Sequence, residues 1–265
     1  MELFCLYPGG KRKAFTLSYD DGVRQDARLV QLFNERGIKA TFNLNLGKQS
    51  RLTGWTHESG LEIRYLDKDE IVPLYAGHEV AVHTYTHPHL ETLTKAEIIK
   101  ELRDDKLELE RLFGALVIGL AYPYGSYDRR VVELAKAEGL QYARTTKHAY
   151  DFSTPEELME WEFSCHHGYE GLPSLAREFL GTEQELALFS VWGHSYEFDT
   201  DQNWQVMEAL LGTVAGKGDT WYATNGQIAR YLLAMQRLSV REGQLVNPSG
   251  QPLWLEVDGQ VRVVS

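Results

Sequence analysis

The chain has 265 residues, 43% of them hydrophobic, enough to bury a sizeable core and better suited to one large α/β domain than to two ordinary ones. Its formal charge of −11 at pH 7 argues against nucleic acid or an anionic membrane surface as partner, because a phosphate-binding face needs clustered Lys and Arg. No stretch approaches the roughly 20 apolar residues of a membrane-spanning helix, and Lys11, Arg12 and Lys13 precede no apolar run of leader length, so a cytoplasmic location is expected.

In chain order, residues 14–19 read as a buried strand, 25–35 as a helix ended at Gly37, and 38–44 as the next strand. The apolar run Glu79–Val82 reads as another strand. A charged helix over Lys95–Phe113 precedes the apolar run 116–121, and residues 129–138, with Gly139 behind them, form a further helix and stop. Then come the strand 141–145, the apolar run 186–192, the helix 204–214, the short strand 221–223 and the helix 228–238. Strands separated by helices of this length predict βα units and a parallel sheet closed into a barrel.

Two polar, irregular stretches, 48–67 and 147–171, read as long loops around a substrate mouth. The tail, 245–264, carries Asn-Pro-Ser-Gly and Asp-Gly turn signals between short alternating runs and predicts a small β-hairpin appendage. The expected organisation is a barrel domain over 1–238 with a short β appendage, 239–265, packed on it. Cys5 and Cys165 form no CxxC pair and are expected as reduced thiols rather than as a disulfide.

His83 and His87, four residues apart after a strand, have a spacing that brings two imidazoles to one side of an element, as metal ligands require. Pro88 disfavours helix at His87 and so places the pair at a strand end leading into a turn. Alone, the pair reads more readily as surface or capping histidines than as ligands. Asp20, Asp21 and Gly22 end a buried strand, where two adjacent carboxylates are costly unless something pairs with them. Both can serve one site only if the chain turns there, which Gly22 permits; an ordinary surface turn has the same sequence. His194 and the run Pro123, Tyr124, Gly125 close two more strands, so four strand ends present Asp, His, Tyr and His where a (β/α) barrel places its active site.

These segments, in this order, resemble the polysaccharide deacetylase family, the NodB homology domain of carbohydrate esterase family four. The first family motif, Thr-Phe-Asp-Asp-Gly, appears as Ser18-Tyr19-Asp20-Asp21-Gly22, and the second, His-Ser/Thr-x-x-His, is matched by His83 through His87. The third, Arg-x-Pro-Tyr or close to it, appears as Ala121-Tyr122-Pro123-Tyr124-Gly125, and the fifth, Leu-x-His, as Trp192-Gly193-His194. The resemblance runs from about Ala14 to Leu238. It implies a distorted (β/α) barrel with zinc, or another divalent ion such as cobalt, nickel or manganese, held by Asp21, His83 and His87. It further implies Asp20 as general base, the Tyr124 backbone N–H as oxyanion donor, His194 as general acid, and Pro123, Tyr124 and Trp192 at the substrate.

Two departures matter. The arginine that orients the base in the family is Ala121 here, and Arg144, at the end of the next strand, is the expected substitute because a guanidinium would hold the Asp20 carboxylate ionised. Trp192 replaces the leucine of the acyl-methyl pocket, which either narrows that pocket or presents a ring to a sugar.

Other features have ordinary readings: Cys165, His166 and His167 as strand or loop side chains, residues 97–110 as a solvated helix face, and Trp55, His57 and Trp161 as half-buried packing or glycan contacts. The expected activity is removal of an N-acetyl group from an amino sugar in an oligo- or polysaccharide. The alternatives are a deacylase of a non-sugar amide or O-acetyl ester on the same scaffold, and a catalytically silent carbohydrate-binding protein.

Overall fold

The computed structural model describes residues 3–265; Met1 and Glu2, which begin the stretch examined for a leader, lie outside the described residues. β1 (Leu3–Leu6) is peripheral, and β2 (Lys13–Asp21) is buried along its whole length, as a strand covered on both faces must be. Its Phe15, Leu17 and Tyr19 pack into the main core with Leu29 and Phe33 of α1 (Asp26–Asn34), while Thr16, Ser18 and Asp20 form a polar column on the opposite face. β3 (Thr41–Leu44) follows. The stretch 48–67, expected as loop, contains a hairpin, β4 (Gly54–Thr56) and β5 (Glu62–Arg64), before α2 (Lys68–Leu74) and β6 (Glu79–Val82).

α3 (Lys95–Phe113) begins at a reciprocal Thr94–Glu97 capping box and stops where Gly114 turns left-handed at φ 63. β7 (Gly119–Ala121), α4 (Arg129–Ala137) and β8 (Tyr142–His148) come next. The second expected loop, 147–171, instead carries β9 (Trp161–Phe163) and β10 (Cys165–His166). Strands of two or three residues are too short for a periodic signal, and the polar sequence around them hides the buried Trp161, Phe163 and Cys165. α5 (Leu172–Gly181), β11 (Ala187–Gly193), α6 (Glu197–Thr200), α7 (Gln205–Val214), β12 (Thr220–Tyr222) and α8 (Asn225–Gln236) complete the βα rhythm.

The central sheet runs β10-β11-β2-β3-β6-β7-β8-β9, every pair parallel, with β12 beside the start of β2. Ser164 alone separates β9 from β10, so residues 161–166 pair with β8 on one side and β11 on the other and join the two edges. This is the distorted (β/α) barrel expected from the sequence. The distortion is local: β6 and β7 share a single register pair, Val82 with Leu120, and the β8–β9 register slips between Arg144 and His148. After α8 come two hairpins, β13 (Ser239–Arg241) with β14 (Gln244–Val246), and β15 (Leu253–Val257) with β16 (Gln260–Val264). β1 adds to β15 as a third, antiparallel strand, a pairing between the two ends of the chain that no local pattern announces. Among the described residues no helix is long and apolar enough to cross a membrane.

At the end of the barrel away from the histidine pair, Glu79 accepts from Thr41 Oγ1 (2.8 Å), Tyr142 Oη (3.1 Å) and the Gly226 N–H at the start of α8 (2.7 Å). A Cβ on Gly226 would stand 2.2 Å from Glu79 Oε1. Gly226→Ala therefore forces α8 or the half-buried Glu79 carboxylate to give up part of this hydrogen-bonded arrangement, and about 1–3 kcal/mol of stability is expected to be lost. The readout is a lower urea midpoint at unchanged slope; an unmoved midpoint would mean that α8 shifts freely.

Candidate active site

The C-terminal ends of the barrel strands open into a cleft of about 460 Å³ lined by Asp20, Asp21, His83, His87, Tyr124 and His194, with Lys48, Trp55 and Trp192 beside them. Asp20 and Asp21 enter it together because the backbone turns: Asp21 is itself left-handed at φ 79 and Gly22 continues at φ 71. The turn expected at Gly22 is thus shared with an Asp, one of the few side chains that tolerates that region.

His83 ends β6 in a strained turn, with Thr84 at φ 65 and His87 at φ 63. Asn45 donates to the carbonyls of His83 and Thr84, and Asp105 of α3 accepts the N–H groups of Leu46 (2.7 Å) and His83 (3.1 Å), which holds the turn from two sides. His83 Nδ1 lies 2.8 Å from Ala121 O. A carbonyl only accepts, so the proton sits on Nδ1 and the Nε2 lone pair faces the cleft.

That Nε2 is 3.9 Å from Asp21 Oδ1, and His87 Nε2 is 3.8 Å from the same oxygen. Burial, reinforced by His83 and Lys48, pushes His87 down to about 3, so its ring is the neutral form that ligates metals. Burial also raises Asp21, against the opposing pull of His194 and His83, and a cation among the three groups would offset that cost. One carboxylate and two imidazole nitrogens within 4.8 Å of one another, open towards the cleft, fit zinc or a similar divalent ion.

Asp20 is 2% exposed. Its Oδ2 accepts from Arg144 Nη2 and its Oδ1 from Asn43 Nδ2 at 2.7 Å. Burial works to raise its pKa, but Arg144 above all, with His83, His194 and Asn43, holds it below the usual carboxylate range. Arg144 also donates from Nη1 to Thr145 O (3.1 Å), and its guanidinium lies 4.3 Å from the Trp192 ring centre. Ala121 and Arg144 are direct register partners on β7 and β8. The cation therefore rises one strand over, at the level where the arginine of the family motif would stand, and the small Ala121 side chain leaves it room.

His194 Nε2 faces Asp20 Oδ2 at 3.8 Å, while its Nδ1 is 3.1 Å from Glu197 Oε1 and its backbone N–H donates to Glu197 Oε2 at 3.1 Å. Burial disfavours the charged ring, yet Glu197, Asp20 and Asp21 raise it to about 9. Sequence reasoning missed Glu197; its signal was a carboxylate three residues beyond the histidine, at the start of α6. His166 and His167, read as ordinary side chains, each place Nε2 3.1 Å from Glu197 Oε2.

His166, His194 and Glu197 are close enough together to hold an ion, but the proton positions oppose it. Gly168 N–H donates to His166 Nδ1 at 3.0 Å, so the proton of that ring is on Nε2 and donates to Glu197 instead of ligating. Tyr19 Oη lies 3.2 Å from His167 Nδ1 and, donating there, fixes the same tautomer in that ring. Burial pushes His167 down to about 4, and although burial opposes its charge, the ring N–H groups keep Glu197 far below the carboxylate range. The cluster is a hydrogen-bonded brace behind His194.

Tyr124 is left-handed at φ 59 and exposed, with its ring stacked on His89 at 4.0 Å. Pro123, expected at the substrate, is buried and does not line the cleft; it shapes the turn that carries Tyr124. Trp192 lines the cleft, with the Arg144 guanidinium against its ring and an Nε1–H bond to His148 Nε2 (3.1 Å) holding it in place. Trp55 overhangs the cleft against Tyr65 and Tyr196, whereas Trp161 is buried in the core, and both cysteines are free thiols.

A family model described as polysaccharide deacetylase matches residues 8–143, more than half of the chain. Chitin deacetylase 1 of Cryptococcus neoformans var. grubii is 30% identical over 157 residues, which cover 58% of this chain and 30% of that protein; across the curated relatives the match spans 30% to 46% of their own length. A Mycobacterium smegmatis structure assigned to the polysaccharide deacetylases has a TM-score of 0.64 at 17% identity, covering 88% of this chain and 94% of that one. The chitin deacetylase of the fungal pathogen Colletotrichum lindemuthianum has a TM-score of 0.53 at 23% identity, covering 85% and 89%. At such identities the two structures speak for the fold alone, and with the family match they lead to one conclusion: the chain belongs to the polysaccharide deacetylase family.

Proposed function

We propose that this protein is a metal-dependent hydrolase that removes an N-acetyl group from an amino sugar in an oligo- or polysaccharide. The observation that carries the reading is the convergence of Asp21, His83 and His87 beside a carboxylate, Asp20, that is paired to Arg144 and faces His194. A divalent ion held by Asp21, His83 and His87 supplies Lewis acidity, lowering the pKa of water and polarising the acyl carbonyl.

The residues around it then divide the work. Asp20, kept ionised and aimed by Arg144 and Asn43, removes a proton from the attacking water as its oxygen bonds to the acyl carbon. The backbone N–H of Tyr124 is the proposed donor to the resulting oxyanion. His194, charged and oriented by Glu197, gives its Nε2 proton to the amine nitrogen as the C–N bond breaks, leaving acetate and a free amino group. The fixed Trp192 keeps the acyl group small, which favours acetyl.

The test is acetate release from N-acetylglucosamine oligomers, compared with acetylated xylan and with simple amides, before and after chelation and on return of zinc, cobalt, nickel or manganese. Release from the amino-sugar oligomers, lost on chelation and restored by a divalent ion, is expected. Glycan binding with no turnover under any of these ions would instead make the protein a carbohydrate-binding one, and turnover confined to xylan or simple amides would move the substrate class.

A further inference from the structure

Lys48 lies in the segment between β3 and the β4–β5 hairpin, and its backbone is pinned on both sides. Its own N–H donates to Asn45 O at 2.9 Å, and Asn45 is tied by its side chain to the metal-ligand turn. The Gly47 N–H donates to Tyr85 O at 2.9 Å, and a Cβ on Gly47 would stand 2.4 Å from that oxygen, so only glycine fits. On the other side Gln49, 4% exposed, donates from Nε2 to Asp21 O at 2.7 Å. The Cα of Lys48 is thereby fixed between the turn bearing the histidines and the turn bearing Asp21.

Its side chain lines the cleft as the one Lys or Arg among the lining residues, and among the described residues its ammonium has no hydrogen-bond or ion-pair partner. Neighbouring cations differ: Arg51 pairs with Asp67, and Lys68 with Glu108. This half-buried cation, whose field reaches Asp21 and His87 without an ion pair to either, stands beside three groups that fit a divalent ion, and once such an ion takes up the Asp21 charge an incoming anion would pair with the ammonium.

We propose that the substrate is an anionic glycan, with a carboxylate or phosphate on the amino sugar itself or on its immediate neighbour, and that Lys48 binds this group. The proposal rests on the deacetylase reading and narrows it, since a neutral homopolymer of N-acetylglucosamine would leave Lys48 unpaired.

The experiment takes the zinc-loaded protein and three matched probes: N-acetylglucosamine oligomers, the same oligomers oxidised to carboxylates at C6, and the same oligomers phosphorylated there. Turnover and calorimetric affinity are measured in parallel. The wild type is expected to favour one anionic probe over the neutral one by about tenfold or more in KM and Kd, less so at high salt; which probe wins identifies the group. Lys48→Met is expected to erase the preference, bringing the anionic probe to the neutral probe's KM and Kd in the same variant, and Lys48→Arg to keep it, which separates charge from folding.

A wild type indifferent to charge, or a Lys48→Met variant that loses turnover equally on all probes, overturns the proposal; the second result would assign Lys48 to the chemistry. An anion preference in binding without acetate release would sink the deacetylase reading and keep the anion site.

Discussion

Asp20→Asn is expected to lower kcat on an N-acetylated glucosamine oligomer by about 10²–10⁴-fold while zinc and glycan still bind. The substitution preserves shape and removes the negative charge, and with it the ability to take a proton. Arg144 keeps an acceptor in the new amide oxygen. Asn43 meets an NH₂ group where it met a carboxylate oxygen and loses that one bond, but its amide stays in place because Nδ2 still donates to Ser18 Oγ and Tyr19 O. The proposed ligands Asp21, His83 and His87 keep their side chains, since Asp20 is not among the three. Single-turnover acetate release gives the rate, and zinc titration followed by calorimetry gives the ligand set. Loss of zinc would mean that Asp20 is a ligand and not a base, and an unchanged kcat would remove it from the chemistry altogether.

The barrel was legible because its long elements announce themselves locally: the buried run of β2, the charged run of α3, and the glycine stops at Gly37 and Gly139. The convergence of Asp20, Asp21, His83, His87 and His194 could be expected because each sits at or just past a strand end, where a barrel gathers residues distant in sequence. What escaped was whatever depends on the third dimension. Glu197 matters through its local bonds to His194 and through His166 and His167, which only the closed barrel brings to it. Asp105 reads as one more acid on a charged helix, yet it is wholly buried and caps the turn of His83. Pro123 shares a motif with Tyr124 but is buried outside the cleft lining, whereas the left-handed Tyr124 is exposed in it. Arg144 was within reach of sequence reasoning only as a substitution puzzle, and the β7–β8 register is what turns the puzzle into geometry.

Arg144→Met is expected to reduce kcat/KM by about 10²-fold or more and to destabilise the fold by about 3–5 kcal/mol, both through one cause. With the guanidinium gone, Asp20 is a carboxylate at 2% exposure whose remaining partners are Asn43 and two imidazoles. It must then take up a proton or move, and either change disables it as a base. Arg144→Lys should recover little, because an ammonium cannot reach Asp20 and Thr145 O together while lying flat beneath Trp192.

The decisive measurement is the double-mutant cycle. If Arg144 acts only through Asp20, then Asp20→Asn combined with Arg144→Met is no slower than Asp20→Asn alone, and it is more stable than Arg144→Met alone because the neutral amide demands no counter-charge. Rate losses that multiply would show that Arg144 touches the substrate itself, and Ala121 would then mark the loss of the base's partner rather than its relocation by one strand.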